Sequence, residues 1–193
     1  MHQYKSIILA SGSPRRKQLL EENGFKIEVI PSTVDEIIHN EWTIEEVALK
    51  LADLKAVDIF EKSGYPANSV VIGADTIVVW NNQILGKPRD AEEAFIMLKN
   101  LSGTSHLVYT GVSFRGDIDI QIVEKTVVHF APISDEQINY YITHYNPMDK
   151  AGAYGIQEWL GICFVEKIEG CYTNVMGLPM RRVFEVLEGN AEF

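Results

Sequence analysis

The run Ser11-Gly12-Ser13-Pro14-Arg15-Arg16 is where this 193-residue sequence first offers chemistry. An apolar stretch, Ile7 to Ala10, leads into it. Pro14 suits the first position of a helix, and Ser13 suits the N-cap before it. Backbone N–H groups at a helix start point outward and attract an anion. Ser11 and Ser13 add hydroxyls, and Gly12 permits close approach of a ligand to the backbone. Arg15 and Arg16 stand where the helix dipole mildly disfavours cations, and their planar forks match phosphate oxygens. The chemistry indicated is the holding of a phosphate, although two solvated arginines after an ordinary N-cap would give the same letters. The run is not a Walker A loop, because the Gly-Lys-Ser/Thr ending is missing. No G-x-S-x-G elbow surrounds either serine.

Asp75 is the second candidate. It follows Gly73-Ala74 inside an apolar, β-prone run. A carboxylate there is costly unless it meets a metal, a cation or a polar cleft. A bulge at a strand end is the competing explanation. Thr76 is expected on the opposite face of a regular strand. Lys87 lies in the rigid Gly86-Lys87-Pro88 loop, Lys55 in the second half of a long helix, and Asp35-Glu36 in a loop. Each charge alone is compatible with a solvated surface group. Asp149-Lys150, followed by Gly152, Tyr154 and Gln157, resembles a base-reading loop, since Gln157 can both donate and accept. A surface loop with a solvated ion pair fits the same stretch. Asn174 and Gly177, before another helix start, offer a second anion site. The histidines at 2, 39, 106, 129 and 144 have no metal-ligand spacing and read as structural or surface groups.

These side chains need elements to position them. Ser6 to Ala10 reads as a buried strand, Pro14 to about Asn23 as a helix stopped at Gly24, and Lys26 to Ile30 as a strand. A loop runs from Pro31 to Asn40. Thr43 with Glu46 forms a capping box that opens a helix ending near Gly64. Val70 to Trp80 is a strand interrupted at Gly73-Ala74-Asp75. Asn81-Asn82 turns into a short strand, Gln83 to Leu85. Asp90 and Glu93 cap a helix ending by Asn100. His106 to Phe114 and Ile118 to Phe130 form a hairpin turning at Gly116-Asp117. Ser134 and Gln137 open a helix to about His144, and Tyr145 to Gln157 is a loop. Ile162 to Ile168 alternates as a strand. Pro179 starts a last helix with Phe184 and Leu187 inward. Interleaved helices and strands with a hairpin predict an α/β fold on a mixed sheet.

Composition excludes other classes. The hydrophobic fraction is 46% and the charged fraction 23%, both ordinary for a globular chain. The length suits one large domain or two small lobes sharing a sheet. A net charge of −10 argues against a module that coats nucleic acid. Cys163 and Cys171 fit no zinc or redox spacing. Met1 to Ala10 is too short an apolar start for a signal peptide or a membrane span, so the cytoplasm is the expected location.

The segments together resemble the Maf family, the septum-formation-type nucleotide pyrophosphatases. The resemblance lies in Leu9 to Arg16, Val34-Asp35-Glu36, Lys55-Ala56, Gly73 to Thr76, Gly86-Lys87-Pro88, Thr110-Gly111-Val112, Asp149 to Gln157 and Asn174 to Pro179. The stretches occur in family order and cover nearly the whole chain, here taken as a single domain over 1–193. The resemblance implies a mixed twisted sheet flanked by helices, like that of the inosine triphosphate pyrophosphatases, in two lobes with a central cleft, and a homodimer. It implies hydrolysis of a nucleoside triphosphate to the monophosphate and pyrophosphate with a divalent cation, Mg²⁺ or Mn²⁺. It gives Asp75 the role of proton acceptor and ties Arg15, Thr76 and Gln157 to substrate choice. The Tyr154-Gly155-Ile156-Gln157 ending is similar to the branch acting on dTTP and UTP, while Glu158-Trp159 departs from the glycine expected next.

The physical mechanism this predicts has Glu36 and Asp75 sharing the metal ion, with Asp75 orienting or deprotonating a water. A carboxylate is a weak base at neutral pH, so activation of the water by the metal is expected as well. Ser11, Ser13, Arg16, Lys55 and Lys87 would hold the phosphates, while Arg15 and Gln157 would recognise the nucleotide. Two alternatives remain at this stage. One is a pyrophosphatase for modified or methylated nucleotides. The other is a nucleotide-binding regulator of cell division with little turnover.

Overall fold

The computed structural model describes residues 6–62, 64 and 68–189. The elements are, in chain order, β1 (Ser6–Leu9), α1 (Pro14–Glu22), β2 (Ile27–Val29), α2 (Ile44–Lys62), β3 (Ser69–Trp80), β4 (Gln83–Leu85), α3 (Ala91–Leu101), β5 (Ser105–Gly116), β6 (Ile120–Phe130), α4 (Asp135–Tyr145), α5 (Trp159–Phe164), β7 (Val165–Glu169), α6 (Tyr172–Val175) and α7 (Met180–Leu187). Among the described residues the strands form a seven-stranded sheet in the order β2-β1-β3-β5-β6-β7, with β4 paired to β3. β1 is parallel to β2 and β3, whereas β4 on β3 and β7 on β6 are antiparallel. The expected mixed α/β class is what the chain adopts.

The chain divides into two compact units. The first comprises the described residues up to Asp75, Thr110–Glu124 and those from Gly177 onward; the second comprises Thr76–Tyr109 and Lys125–Met176. In the first unit Ile7, Ile8 and Leu9 of β1 are all buried, as an interior parallel strand requires. Ile8, Ala10 and Val71 pack with Ala56 and Ile59 of α2. Two glycines let α2 lie close to the sheet. A Cβ on Gly73 of β3 would run into the Ala52 carbonyl oxygen, and one on Gly111 of β5 would run into the Ala48 carbonyl. The helix therefore rests its backbone on these strands. In the second unit α3 and α4 pack together around Leu98, Leu101, Ile138 and Tyr141.

Local signals account for most boundaries. Thr43 and Glu46 exchange the reciprocal capping bonds that open α2, and Ser134 and Gln137 do the same for α4. Asp90 accepts from the Glu93 N–H to start α3. Asn81 and Asn82 both take positive φ, 48° and 60°, as the tight β3–β4 turn needs. Four expectations need correction. β3 runs unbroken through Gly73-Ala74-Asp75, because pairing on both sides overrides the small residues. Residues 145–157 contain two short 3₁₀ turns, Pro147–Asp149 and Ala151–Ala153, instead of plain loop. Residues 159–164 are helical, so the expected strand 162–168 begins only at Val165. Phe184 of α7 is 46% exposed while Leu187 is buried. Phe184 meets the Phe25 ring edge-on, with centroids 6.1 Å apart, at the border of the first unit's core.

Candidate active site

The strand-to-helix turn of the first unit is built around Arg16. Ser13 has the extended backbone of an N-cap, but its side chain makes no capping bond. Ser11 Oγ instead accepts from the Ser13 backbone N–H at 3.3 Å and from Arg16 Nη1 at 2.9 Å. Arg16 Nε donates to the Gly177 carbonyl oxygen at 2.8 Å. Arg16 is only 9% exposed. Burial lowers its pKa from the ordinary arginine value, the charge of Asp75 opposes that shift, and Arg15 and Glu36 add smaller effects of opposite sign. Arg16 thus holds the turn from inside and ties it to the chain before α7. Gly177, expected at a second anion site, presents its carbonyl to this arginine. Arg15 and Ser13 are half-buried on the same turn.

Asp75 is 7% exposed, on the part of β3 that belongs to the first unit. Because Gly73 lets α2 sit against β3, Lys55 of that helix reaches the carboxylate. Its Nζ lies 2.5 Å from Asp75 Oδ1 and 2.8 Å from Glu36 Oε1. Glu36 comes from the loop after β2 and is the more exposed of the two carboxylates. One ammonium bridges both acidic groups expected to hold a metal. Among the described residues no group of three or more His, Cys, Asp or Glu side chains converges on one point. Two carboxylates do not make a closed cation cage. They do match the mode of Mg²⁺ at polyphosphates, where one or two carboxylates suffice and phosphate and water oxygens complete the shell. Glu36 and Asp75 fit a cation of that kind.

The remaining candidates belong to the second unit. Thr76 follows Asp75 and is half-buried, with strand alternation sending its side chain to the other face. Lys87 is exposed after β4, and its loop is joined to the Asp149–Gln157 motif by a bond from the Gly152 N–H to the Gly86 carbonyl, 3.1 Å. Lys150, expected as half of a surface pair, is 6% exposed. Its Nζ lies 2.8 Å from Asp149 Oδ1 and 3.1 Å from Glu158 Oε1. The Gln157 amide oxygen is buried and accepts no hydrogen bond from the described chain.

Two side chains have roles that residue types did not announce. Tyr141 of α4 donates to Glu158 Oε2 and accepts from the Gly155 N–H at 3.0 Å. His106 is buried against Tyr154, Nε2 to hydroxyl 2.7 Å. Tyr141 carries no readable signal, since its partners lie 14 and 17 positions away. Glu158 was visible only as a departure after Gln157. His129 pairs with Glu169 and His144 with the Tyr140 carbonyl, while His2 lies outside the described residues.

A family model described as Maf-like protein matches residues 6–190. A dTTP/UTP pyrophosphatase of Flavobacterium johnsoniae is 47% identical over 188 residues, covering 97% of this chain and 95% of that protein. A dTTP/UTP pyrophosphatase of Thermosipho melanesiensis is 50% identical over 183 residues, 94% of this chain and 96% of the relative. A crystal structure of a nucleoside-triphosphatase/dITP/XTP pyrophosphatase from Mycobacterium abscessus is a weaker likeness. It is 17% identical at a TM-score of 0.41, over 66% of this chain and 75% of the other. With the family model spanning almost all of the described residues, the chain belongs to the Maf-like protein family.

Proposed function

We propose that this protein hydrolyses dTTP and UTP to the nucleoside monophosphate and pyrophosphate. The names of relatives at 47% and 50% identity support the substrate class. The observation that carries the chemistry is the Asp75–Lys55–Glu36 assembly: a carboxylate held away from bulk water, an ammonium placed against it, and a second carboxylate within reach. Glu36 and Asp75 would hold Mg²⁺ or Mn²⁺, which when bound lowers the pKa of a coordinated water and neutralises phosphate charge. Asp75 orients the attacking water and takes its proton. The water oxygen bonds to the α phosphorus as the bond to the bridging oxygen of the leaving pyrophosphate breaks. Lys55 exchanges its carboxylate contacts for phosphate oxygens, and Lys87 adds a second ammonium. Ser11, Ser13 and the N–H groups of the turn hold phosphate, with Arg16 fixing the turn's shape. Arg15, Thr76 and Gln157 discriminate the nucleotide.

The test is pyrophosphate release from a panel of canonical and modified triphosphates. Asp75→Asn should lower dTTP turnover on the order of 10²–10⁴-fold while nucleotide binding persists, the range for loss of a general base. Near-normal turnover of that variant with Mn²⁺ present would remove Asp75 from this role. The family resemblance further supports a cytoplasmic homodimer that binds no nucleic acid. Sedimentation at twice the 21.8 kDa chain mass would accord with the dimer, and sedimentation at that mass would exclude it.

A further inference from the structure

We propose that Tyr141, Glu158 and Lys150 form a buried positioning network that fixes the chain on both sides of Gln157 and thereby sets base selectivity. The inference rests on the reading of Gln157 as the amide that recognises the base. Glu158 occupies the N-cap of α5, yet its side chain makes no capping bond there. Its carboxylate turns back. Oε1 meets Lys150 Nζ at 3.1 Å and Oε2 accepts from the Tyr141 hydroxyl. That hydroxyl accepts in turn from the Gly155 N–H at 3.0 Å. The Glu158 N–H donates to the Gly155 carbonyl at 3.1 Å, which closes residues 155–158 into a turn. The carboxylate also lies against Gly155, where a Cβ would stand 2.8 Å from Glu158 Cδ. Both ends of the turn are therefore fastened to one hydroxyl–carboxylate pair, and Gln157 is its third residue.

The placement has a chemical purpose. The Gln157 amide oxygen is a buried acceptor with no donor in the described chain. Thymine and uracil each present one ring N–H to such an acceptor, whereas the corresponding ring nitrogen of cytosine carries no hydrogen. A buried ion pair such as Lys150–Glu158 adds little to stability, because desolvation offsets the attraction, but it does fix geometry. A misplacement of about 1 Å in a recognition group can cost 10²-fold in rate. None of the three network residues needs to touch the nucleotide.

The experiment measures kcat/KM for dTTP and for dCTP in the full-length protein and in Gln157→Ala, Tyr141→Phe, Glu158→Gln and the Tyr141→Phe/Gln157→Ala double variant. Thermal melts are recorded alongside. Gln157→Ala and Tyr141→Phe should each lower the dTTP-to-dCTP ratio by roughly tenfold, the scale of one lost polar contact. The double variant should match Gln157→Ala alone, because Tyr141 acts through Gln157. Glu158→Gln keeps the shape and serves if Tyr141→Phe does not fold; its ratio should fall severalfold. If Gln157→Ala shifts the ratio while Tyr141→Phe and Glu158→Gln change only the melting temperature, the positioning network is disproved and the Gln157 reading stands. If Gln157→Ala leaves the ratio unchanged, that reading fails and this inference falls with it.

Discussion

His106 and Tyr154 share a hydrogen bond of 2.7 Å, packed against the Phe130 ring. Burial lowers the His106 pKa from 6.5 to about 4, with a minor contribution from the charge of His129. The same burial raises the Tyr154 pKa, so the hydroxyl stays protonated. A depressed folded-state pKa means that the unfolded chain binds more protons between these two values. The stabilisation is complete above about pH 6.5 and is lost as pH falls towards 4. The gap is worth on the order of 3 kcal/mol. The melting temperature of the wild-type protein should therefore drop across that window. His106→Gln should flatten this part of the curve while leaving the acid response of the carboxylates. A variant whose curve parallels wild type from pH 6.5 to 4 would show that the histidine is not the group responsible. The ring packs against Tyr154, three positions before Gln157, so its neutral state supports the packing of that segment.

At the scale of elements, α2 shows why the site forms where it does. Lys55 and Asp75 are 20 positions apart, and only the close seating of the helix on Gly73 and Gly111 joins them. Gly73→Ala places a methyl against the Ala52 carbonyl and must lift the helix. The expected loss is about 1–3 kcal/mol, as for other overpacked cores, together with a drop in turnover as Lys55 retreats from Asp75. Calorimetric melting and pyrophosphate release check the two effects separately, and unchanged values of both would refute the seating argument. The features readable in the sequence are those whose cause is local. The capping pairs Thr43–Glu46 and Ser134–Gln137 and the Asn81-Asn82 turn act within four residues, so composition alone exposes them. The segment Trp159–Phe164 shows the opposite case. Its aromatic and branched residues favour extension, but Gly161 nests against the Ile156 backbone and the run closes as a helix. Lys55, Asp75 and Glu36 could each be named as candidates, whereas their shared contact depends on a packing that no local pattern encodes. Tyr141 was invisible for the same reason.

For the molecule as a whole, the balance of charge must be reconciled with a polyanionic substrate. The net charge is −10, and no described helix is long and apolar enough to cross a membrane. Attraction for a triphosphate must be local, and on the proposed function the first unit supplies it through the turn and Lys55. Lys55 already pairs with both Asp75 and Glu36 and offsets one of their two charges, so a free divalent cation would meet two carboxylates that share an internal counter-ion. On the proposed function, a nucleotide would draw the ammonium onto its phosphates and supply oxygen ligands for the cation. Binding of cation and nucleotide should therefore be coupled. The folded state as a whole registers that coupling, because a ligand at 100 times its Kd stabilises by about 2.7 kcal/mol. For a chain of this size, that corresponds to a rise in melting temperature of roughly 5–11 °C. Mg²⁺ alone at millimolar concentration should move the melt no more than an ionic-strength control. Mg²⁺ with a thymidine triphosphate analogue carrying a methylene bridge between the α and β phosphorus should produce the full rise. Lys55→Met removes the counter-ion, so Mg²⁺ alone should then stabilise the protein. If Mg²⁺ without nucleotide shifts the wild-type melt as far as the pair does, the cation binds independently and Lys55 does not guard the carboxylates.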